Sequence, residues 1–139
     1  MDSSGFILQL KTKYPNYTMD NQGQSGWNTQ KWIDHFKQGF LSSYDSTVKL
    51  FTIFLGANDA ATVGNPQHVD VAVYKNNLKS MIQTINSKFP GSSIILITPP
   101  FVINTNSFGR LWEVTENYKN AMIQVGDETG IKVLDTWAA

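Results

Sequence analysis

The sequence contains no cysteine, which excludes a disulfide framework, a cysteine nucleophile and a thiolate metal site. Acidic and basic residues balance at 11 each, so no net charge attracts a phosphate backbone, and nucleic-acid binding is disfavoured. The longest apolar runs, FTIFL and IILI, fall far short of the roughly 20 residues of a membrane span. The N-terminus lacks the basic region and long apolar core of a signal peptide, which favours a cytoplasmic location.

No group of His, Asp or Glu has the spacing of metal ligands, so neither a metal nor an organic cofactor is expected. A phosphate loop of the type G-x-x-x-x-G-K-[ST] is absent as well, which disfavours a nucleotide binder. The sequence therefore directs attention to chemistry that side chains and backbone amides perform without a cofactor.

The chain has 139 residues, of which 41% are hydrophobic, and this size suits one domain over residues 1–139. Apolar periodicity predicts alternating helices and strands. The helices are expected over 5–14, 29–40, 70–89 and 111–126, and the strands over 17–21, 48–55, 93–98 and 131–135. The strand at 48–55, VKLFTIFL, is almost wholly apolar, which predicts burial on both faces of a parallel sheet. Such alternation predicts an α/β fold with helices on both faces and ligands at the carboxyl ends of the strands.

The loops after these strands hold the candidate site. They cover residues 23–29, 56–65 and 98–109, and the first two contain glycines and the amide of Asn58. Glycine lets a backbone N–H approach a ligand closely, so these loops could form an anion or oxyanion cradle. The alternative is that the glycines only permit turns and that Asn58 caps the next segment. Spacing alone leaves both interpretations open.

Two strings in these loops resemble a known family. NQGQSGWNT at residues 21–29 and FLGANDA at 54–60 are similar to the second and third signature blocks of the SGNH or GDSL hydrolases, most closely to the branch of isoamyl acetate-hydrolysing esterase-like proteins. The resemblance implies a three-layer α/β/α fold with a flavodoxin-like parallel sheet. It also implies a carboxylic ester hydrolase with a serine nucleophile that acts on short-chain or acetate esters, so a small ester is the expected partner.

The same resemblance assigns candidate roles to individual residues. Gly23 and Asn58 correspond to the donors that hold the oxyanion of the tetrahedral intermediate. Five residues of the same loops are expected to contact substrate: Gln24, Trp27, Gly56, Pro99 and Pro100.

The nucleophile and the base of the family have no counterpart in this sequence. There is no Gly-Asp-Ser block, and the nearest serines, Ser3 and Ser4, have no strand before them. No Asp-x-x-His string occurs either; His35 lies within a helix and His68 in a loop, while Asp135 resembles the residue that ends the family's last strand. The expectation is a partial domain that is inactive alone, or a non-catalytic acyl- or anion-binding module on the same fold.

The fold implied by the resemblance also has a missing strand. The family's nucleophile strand lies at the centre of the sheet, between the strands expected here at 17–21 and 48–55. Without it both neighbours have an unpaired edge, which predicts self-association through the sheet edge.

Overall fold

The computed structural model, which describes residues 5–104 and 109–138, begins with two α-helices, after which strands and helices alternate. The four helices of the described residues are α1 (Phe6–Lys13), α2 (Thr29–Lys37), α3 (Val71–Lys88) and α4 (Trp112–Thr129), and the three strands are β1 (Leu50–Phe54), β2 (Ser93–Ile97) and β3 (Lys132–Leu134). A single 3-10 turn, Phe40–Ser43, follows α2. The predicted alternation is confirmed from α2 onward.

The three strands form one parallel sheet in the order β1-β2-β3. Leu50 pairs with Ser93 at the start of β1 and β2, and Phe54 pairs with Ile97 at their end. β3 continues the sheet on the other side of β2. Each connection between neighbouring strands contains a helix, as parallel pairing requires.

One face of the sheet carries the core. Ile53 and Ile94 are buried on it and Leu96 is inaccessible to solvent, together with residues of α3 and α4. Complete burial of a leucine side chain contributes roughly 1.5–3 kcal/mol. α3 and α4 pack against each other, and α2 packs against α3, so the helices extend this core away from the sheet.

The opposite face is more open than the sequence predicts. Leu50, Phe54 and Leu134 are 51%, 44% and 55% exposed, so the expected burial of residues 48–55 on both faces is wrong for this face. α1 reaches it through an edge-on contact of Phe6 with Phe54, whose ring centroids lie 6.4 Å apart. One short helix covers too little area to bury a three-stranded sheet.

The edge of the sheet at β1 has no second strand beside it in the part of the chain that the structure describes. The strand predicted at 17–21 is wrong, because this segment is irregular and largely exposed, with Tyr17 at 67%. A strand exists only through hydrogen bonds to a neighbouring strand, and within the described ranges this segment has none.

α4 is longer than predicted. It continues past Gly126 to Thr129 and ends at Gly130, whose φ of 72° is left-handed. Gly126 lies inside the helix, where a Cβ atom would stand 2.3 Å from Val133 Cγ2. This glycine allows α4 to approach β3 closely and does not terminate the helix.

Candidate active site

A tight turn after β1 presents Asn58. Gly56 is buried with φ of +123°, and a Cβ there would lie 2.6 Å from the hydroxyl oxygen of Tyr74 and 3.1 Å from Pro99 Cγ. The Tyr74 hydroxyl donates a hydrogen bond to the carbonyl of Leu55 at 3.1 Å. Only glycine combines this φ with such close neighbours, so the end of β1 is fixed and the position of Asn58 follows from it.

The side-chain amide of Asn58 is held from two sides. Asn58 Nδ2 donates to the carbonyl oxygen of Trp27 at 2.7 Å. Asn58 Oδ1 accepts from Nη2 of Arg110 at 3.0 Å. Because a carbonyl only accepts and a guanidinium only donates, the two contacts define which end of the amide is oxygen and which is nitrogen.

Arg110 and Gln67 connect this amide to the loop before α2. Arg110 Nη2 also donates to Gln67 Oε1 at 2.6 Å, and Gln67 Nε2 donates to the carbonyl of Gly26 at 3.0 Å. The amide of Asn28 donates to the carbonyl of Gln67 at 2.9 Å. Burial lowers the pKa of the Arg110 guanidinium, which nevertheless remains protonated at neutral pH. Three loops that are distant in sequence therefore meet at Asn58.

Asp59, the next residue, anchors the start of α2. It is completely buried, and its carboxylate accepts from the backbone N–H of Thr29 at 3.0 Å and from the Thr29 hydroxyl. Asn77 of α3 donates to that hydroxyl oxygen at 3.0 Å. Burial raises the pKa of the Asp59 carboxyl, and the hydrogen bonds from Thr29 oppose the shift. Asp59 thus has a structural role beside the site.

The indole of Trp27 packs against Trp32 and His35, with ring centroids at 5.1 Å and 5.3 Å. His35 also lies 4.7 Å from the ring of Phe40. Trp27 therefore packs beside the site, and His35, inside α2, packs among aromatic rings.

His68 is fixed by two hydrogen bonds. Its Nδ1 donates to the carbonyl of Ala61 at 2.7 Å, and its Nε2 lies 2.8 Å from Asp70 Oδ1. The hydrogen bond to Asp70 raises the pKa of His68. Neither nitrogen is hydrogen-bonded to a serine, so His68 does not form a nucleophile–base pair among the described residues.

The predicted site residues are only partly brought together. Asn58 contacts Trp27, and Gly56 lies against Pro99, whose carbonyl accepts from Trp137 Nε1 at 2.8 Å. Pro99 is buried and Pro100 is exposed.

The remaining two candidates make hydrogen bonds within their own loop. Gly23 N–H donates to Asn21 Oδ1 at 3.0 Å, and the carbonyl of Gln24 accepts from the backbone N–H of Trp27 at 3.3 Å. Ser3 and Ser4 lie outside the described residues.

Arg110 and Gln67 are parts of the site that the sequence interpretation missed. Arg110 directly follows the segment assigned to the third loop, and it is the sole arginine of the sequence. A single arginine that directly follows a glycine could have indicated a functional residue. Its partner Asn58, however, is 52 positions away in the sequence. No periodicity or short motif reveals a contact over that distance.

Residues 5–104 and 109–138 contain no group of three or more His, Cys, Asp or Glu side chains arranged to hold a metal ion. Within the same ranges no helix has the length and hydropathy needed to cross a membrane.

Comparison with known proteins identifies the family of the chain. The sequence model of the GDSL-like lipase/acylhydrolase family matches residues 5–139. The chain belongs to this family of hydrolases. Within the described residues, its three-stranded parallel sheet and helices are a partial SGNH hydrolase fold that lacks a strand, as the sequence predicted.

Among individual relatives, the chain is similar to the isoamyl acetate-hydrolyzing esterase 1 homolog of Homo sapiens, with 38% identity over 133 residues, 84% of this chain and 53% of the relative. A GDSL esterase/lipase of Arabidopsis thaliana is 32% identical over 135 residues, 84% of this chain and 56% of that protein. The chain thus spans about half the length of the curated relatives it matches.

Solved structures agree in fold. A lipase/acylhydrolase from Enterococcus faecalis superposes with a TM-score of 0.72 at 25% identity, covering 95% of this chain and 65% of that one. An acetylxylan esterase from Geobacillus stearothermophilus gives a TM-score of 0.72 at 22% identity, with 94% and 60% coverage, and shows the fold alone.

Proposed function

We propose that this chain forms the oxyanion-binding part of a carboxylic ester hydrolase that acts on short-chain or acetate esters with a serine nucleophile. The observation that carries the proposal is the amide of Asn58, held at the carboxyl end of β1 by Trp27 and Arg110. In parallel α/β folds ligands bind at this end of the strands. The esterase names of the relatives support the reaction class.

The chemistry follows from the donors. Attack on an ester carbonyl places negative charge on its oxygen, and preorganised N–H groups stabilise that charge. Asn58 Nδ2 carries two hydrogens, of which Trp27 accepts one, so the other is available to the oxyanion. Gly23 is the second proposed donor. Its N–H donates to Asn21 Oδ1 at 3.0 Å, and an oxyanion has to replace this exposed amide oxygen.

In this proposal the serine nucleophile and the catalytic base lie in segments of a longer protein, outside these 139 residues. We call that longer protein the complete gene product. His35 packs among aromatic rings and His68 is bonded to Ala61 and Asp70, so neither is paired with a serine. Coverage of about half of the relatives agrees with a partial catalytic domain. The gene product would then contain a Gly-Asp-Ser block and an Asp-x-x-His block that this chain lacks.

The test is hydrolysis of p-nitrophenyl acetate, butyrate and octanoate by the complete gene product. We expect turnover of all three to be serine-dependent, with kcat/KM highest for acetate or butyrate. Loss of turnover after treatment with a serine-directed organophosphonate identifies the nucleophile class. Absence of hydrolysis with all three esters contradicts the proposal.

The alternative is a non-catalytic acyl- or anion-binding module on the same fold. The site geometry favours it in one respect, because the donors at Asn58 are present without a described nucleophile. Binding of acetate to the complete gene product, detected by calorimetry and without ester turnover, would support this alternative.

A further inference from the structure

We propose that Arg110 is a positioning residue that orients Asn58 as an oxyanion donor. This inference rests on the proposed function and adds to it a residue outside the two signature strings. Arg110 is connected to the proposed oxyanion through Asn58: its Nη2 donates to Asn58 Oδ1 at 3.0 Å, and Asn58 in turn presents Nδ2.

The orientation of an amide is a choice between two states that differ by a rotation of its terminal group. In one state Nδ2 faces Trp27, as observed, and in the other Oδ1 does. The second state would place Oδ1 against a carbonyl oxygen and Nδ2 against a guanidinium N–H, so it would lose both hydrogen bonds and gain two repulsive contacts. Arg110 therefore excludes the orientation in which Asn58 cannot donate.

Arg110 is itself fixed from two directions. Gly109, just before it, accepts from the backbone N–H of Thr62 at 2.8 Å and has a left-handed φ of +60°, which favours glycine. On the other side Gln67 Oε1 accepts from the same Nη2 at 2.6 Å. The guanidinium thus approaches Asn58 from a backbone that is bonded to the loop carrying Asn58.

The charge of Arg110 has a second effect. A cationic donor on Oδ1 polarises the amide, which makes the Nδ2 hydrogens better donors to an anionic oxygen. One nitrogen serves both Asn58 and Gln67 here, and a planar guanidinium provides paired hydrogens in fixed directions. Lysine has a single ammonium with no such planar geometry, so it can replace this function only in part.

Kinetics of the complete gene product with p-nitrophenyl acetate test the inference. We expect Arg110→Met to lower kcat by about tenfold to a hundredfold, less than removal of Asn58 itself, with KM changed by less than about threefold. Arg110→Lys should recover part of the loss. Lys88→Met, at the exposed end of α3, is the matched control for loss of a basic side chain and should leave kcat unchanged.

A double-mutant cycle separates positioning from a general structural role. If Arg110 acts through Asn58, Arg110→Met causes no further loss of kcat in an Asn58→Ala background. A loss of the same size in both backgrounds overturns the inference, as does wild-type kcat in Arg110→Met.

The side-chain amide signals of Asn58 give a readout that does not depend on activity. They are identified in a ¹⁵N-correlation spectrum by their absence from Asn58→Asp. We expect Arg110→Met to shift them and Lys88→Met to leave them in place. If the wild-type protein hydrolyses no ester, the proposed function fails, and the amide shift alone then decides whether Arg110 holds Asn58. Unshifted signals in Arg110→Met overturn the inference in either case.

Discussion

Substitution of Gly126 by alanine tests the contact between α4 and β3. The new Cβ would lie 2.3 Å from Val133 Cγ2 and 2.9 Å from the carbonyl oxygen of Ile131. Carbon atoms in contact prefer about 3.5–4.0 Å, so α4 and β3 would have to separate by roughly 1 Å. Because one of the clashing atoms belongs to the backbone, rotation of the valine side chain cannot relieve the whole contact.

The magnitude follows from two opposing effects. Overpacking of a well-packed interior costs typically about 1–3 kcal/mol, and the backbone contact places this site near the upper end. Alanine in place of glycine inside a helix returns about 1 kcal/mol. The expected net loss for Gly126→Ala is therefore about 2 kcal/mol of unfolding free energy.

Urea unfolding of the complete gene product, followed by circular dichroism, measures this loss. Gly91→Ala is the matched control, because no atom lies within 4 Å of a Cβ at that position, and we expect unchanged or slightly higher stability. Adding Val133→Ala to Gly126→Ala should remove the side-chain part of the clash. Wild-type stability or better in Gly126→Ala would refute the packing argument.

Three further predictions concern charge and the sheet edge. Asp70→Asn should lower the pKa of His68 toward 6.5, observed by NMR titration of the imidazole signals, because the hydrogen bond to Asp70 is the main cause of the raised pKa; an unchanged pKa would contradict this. The raised pKa of Asp59 means that its protonated form is favoured by folding, so its contribution to stability is complete below its ordinary pKa of 3.8 and is lost as the pH rises through the folded value. Asp59→Asn should remove this dependence, so the free energy of unfolding of the variant, measured with urea at several pH values above 3.8, should rise relative to that of the wild type as the pH rises. The 139-residue chain made alone should self-associate through the β1 edge in sedimentation experiments, and a monomer with a sharp, concentration-independent thermal transition would count against that.

Local patterns were sufficient for most of the fold. Apolar periodicity over 70–89 predicts α3 to within a residue at each end, because a helix of that length presents its buried face repeatedly. The strand at 93–98 was equally clear from its continuous apolar residues. The sequence predicts the end of α4 three residues too early, at Gly126. A glycine that packs closely against Val133 cannot be distinguished in sequence from a glycine that ends a helix.

What depends on neighbours in space could not be derived in the same way. The apolar composition of residues 48–55 indicates how much of a strand can be buried, but the covering of each face depends on which helices reach it. For the same reason Asn58 was found from its string of residues, whereas Arg110 was not. Its role arises from a contact between loops, and a single sequence contains no record of that contact.

The measurement that tests the central claim most directly is kcat/KM for p-nitrophenyl acetate in the complete gene product with Asn58→Ala. The comparison is Asn86→Ala, which truncates an exposed asparagine of α3. Loss of an oxyanion donor costs about 10²–10³ in rate, so Asn58→Ala should fall by that factor while Asn86→Ala stays at the wild-type value. Equal activity of the wild type and both variants would contradict the claim that Asn58 holds the oxyanion.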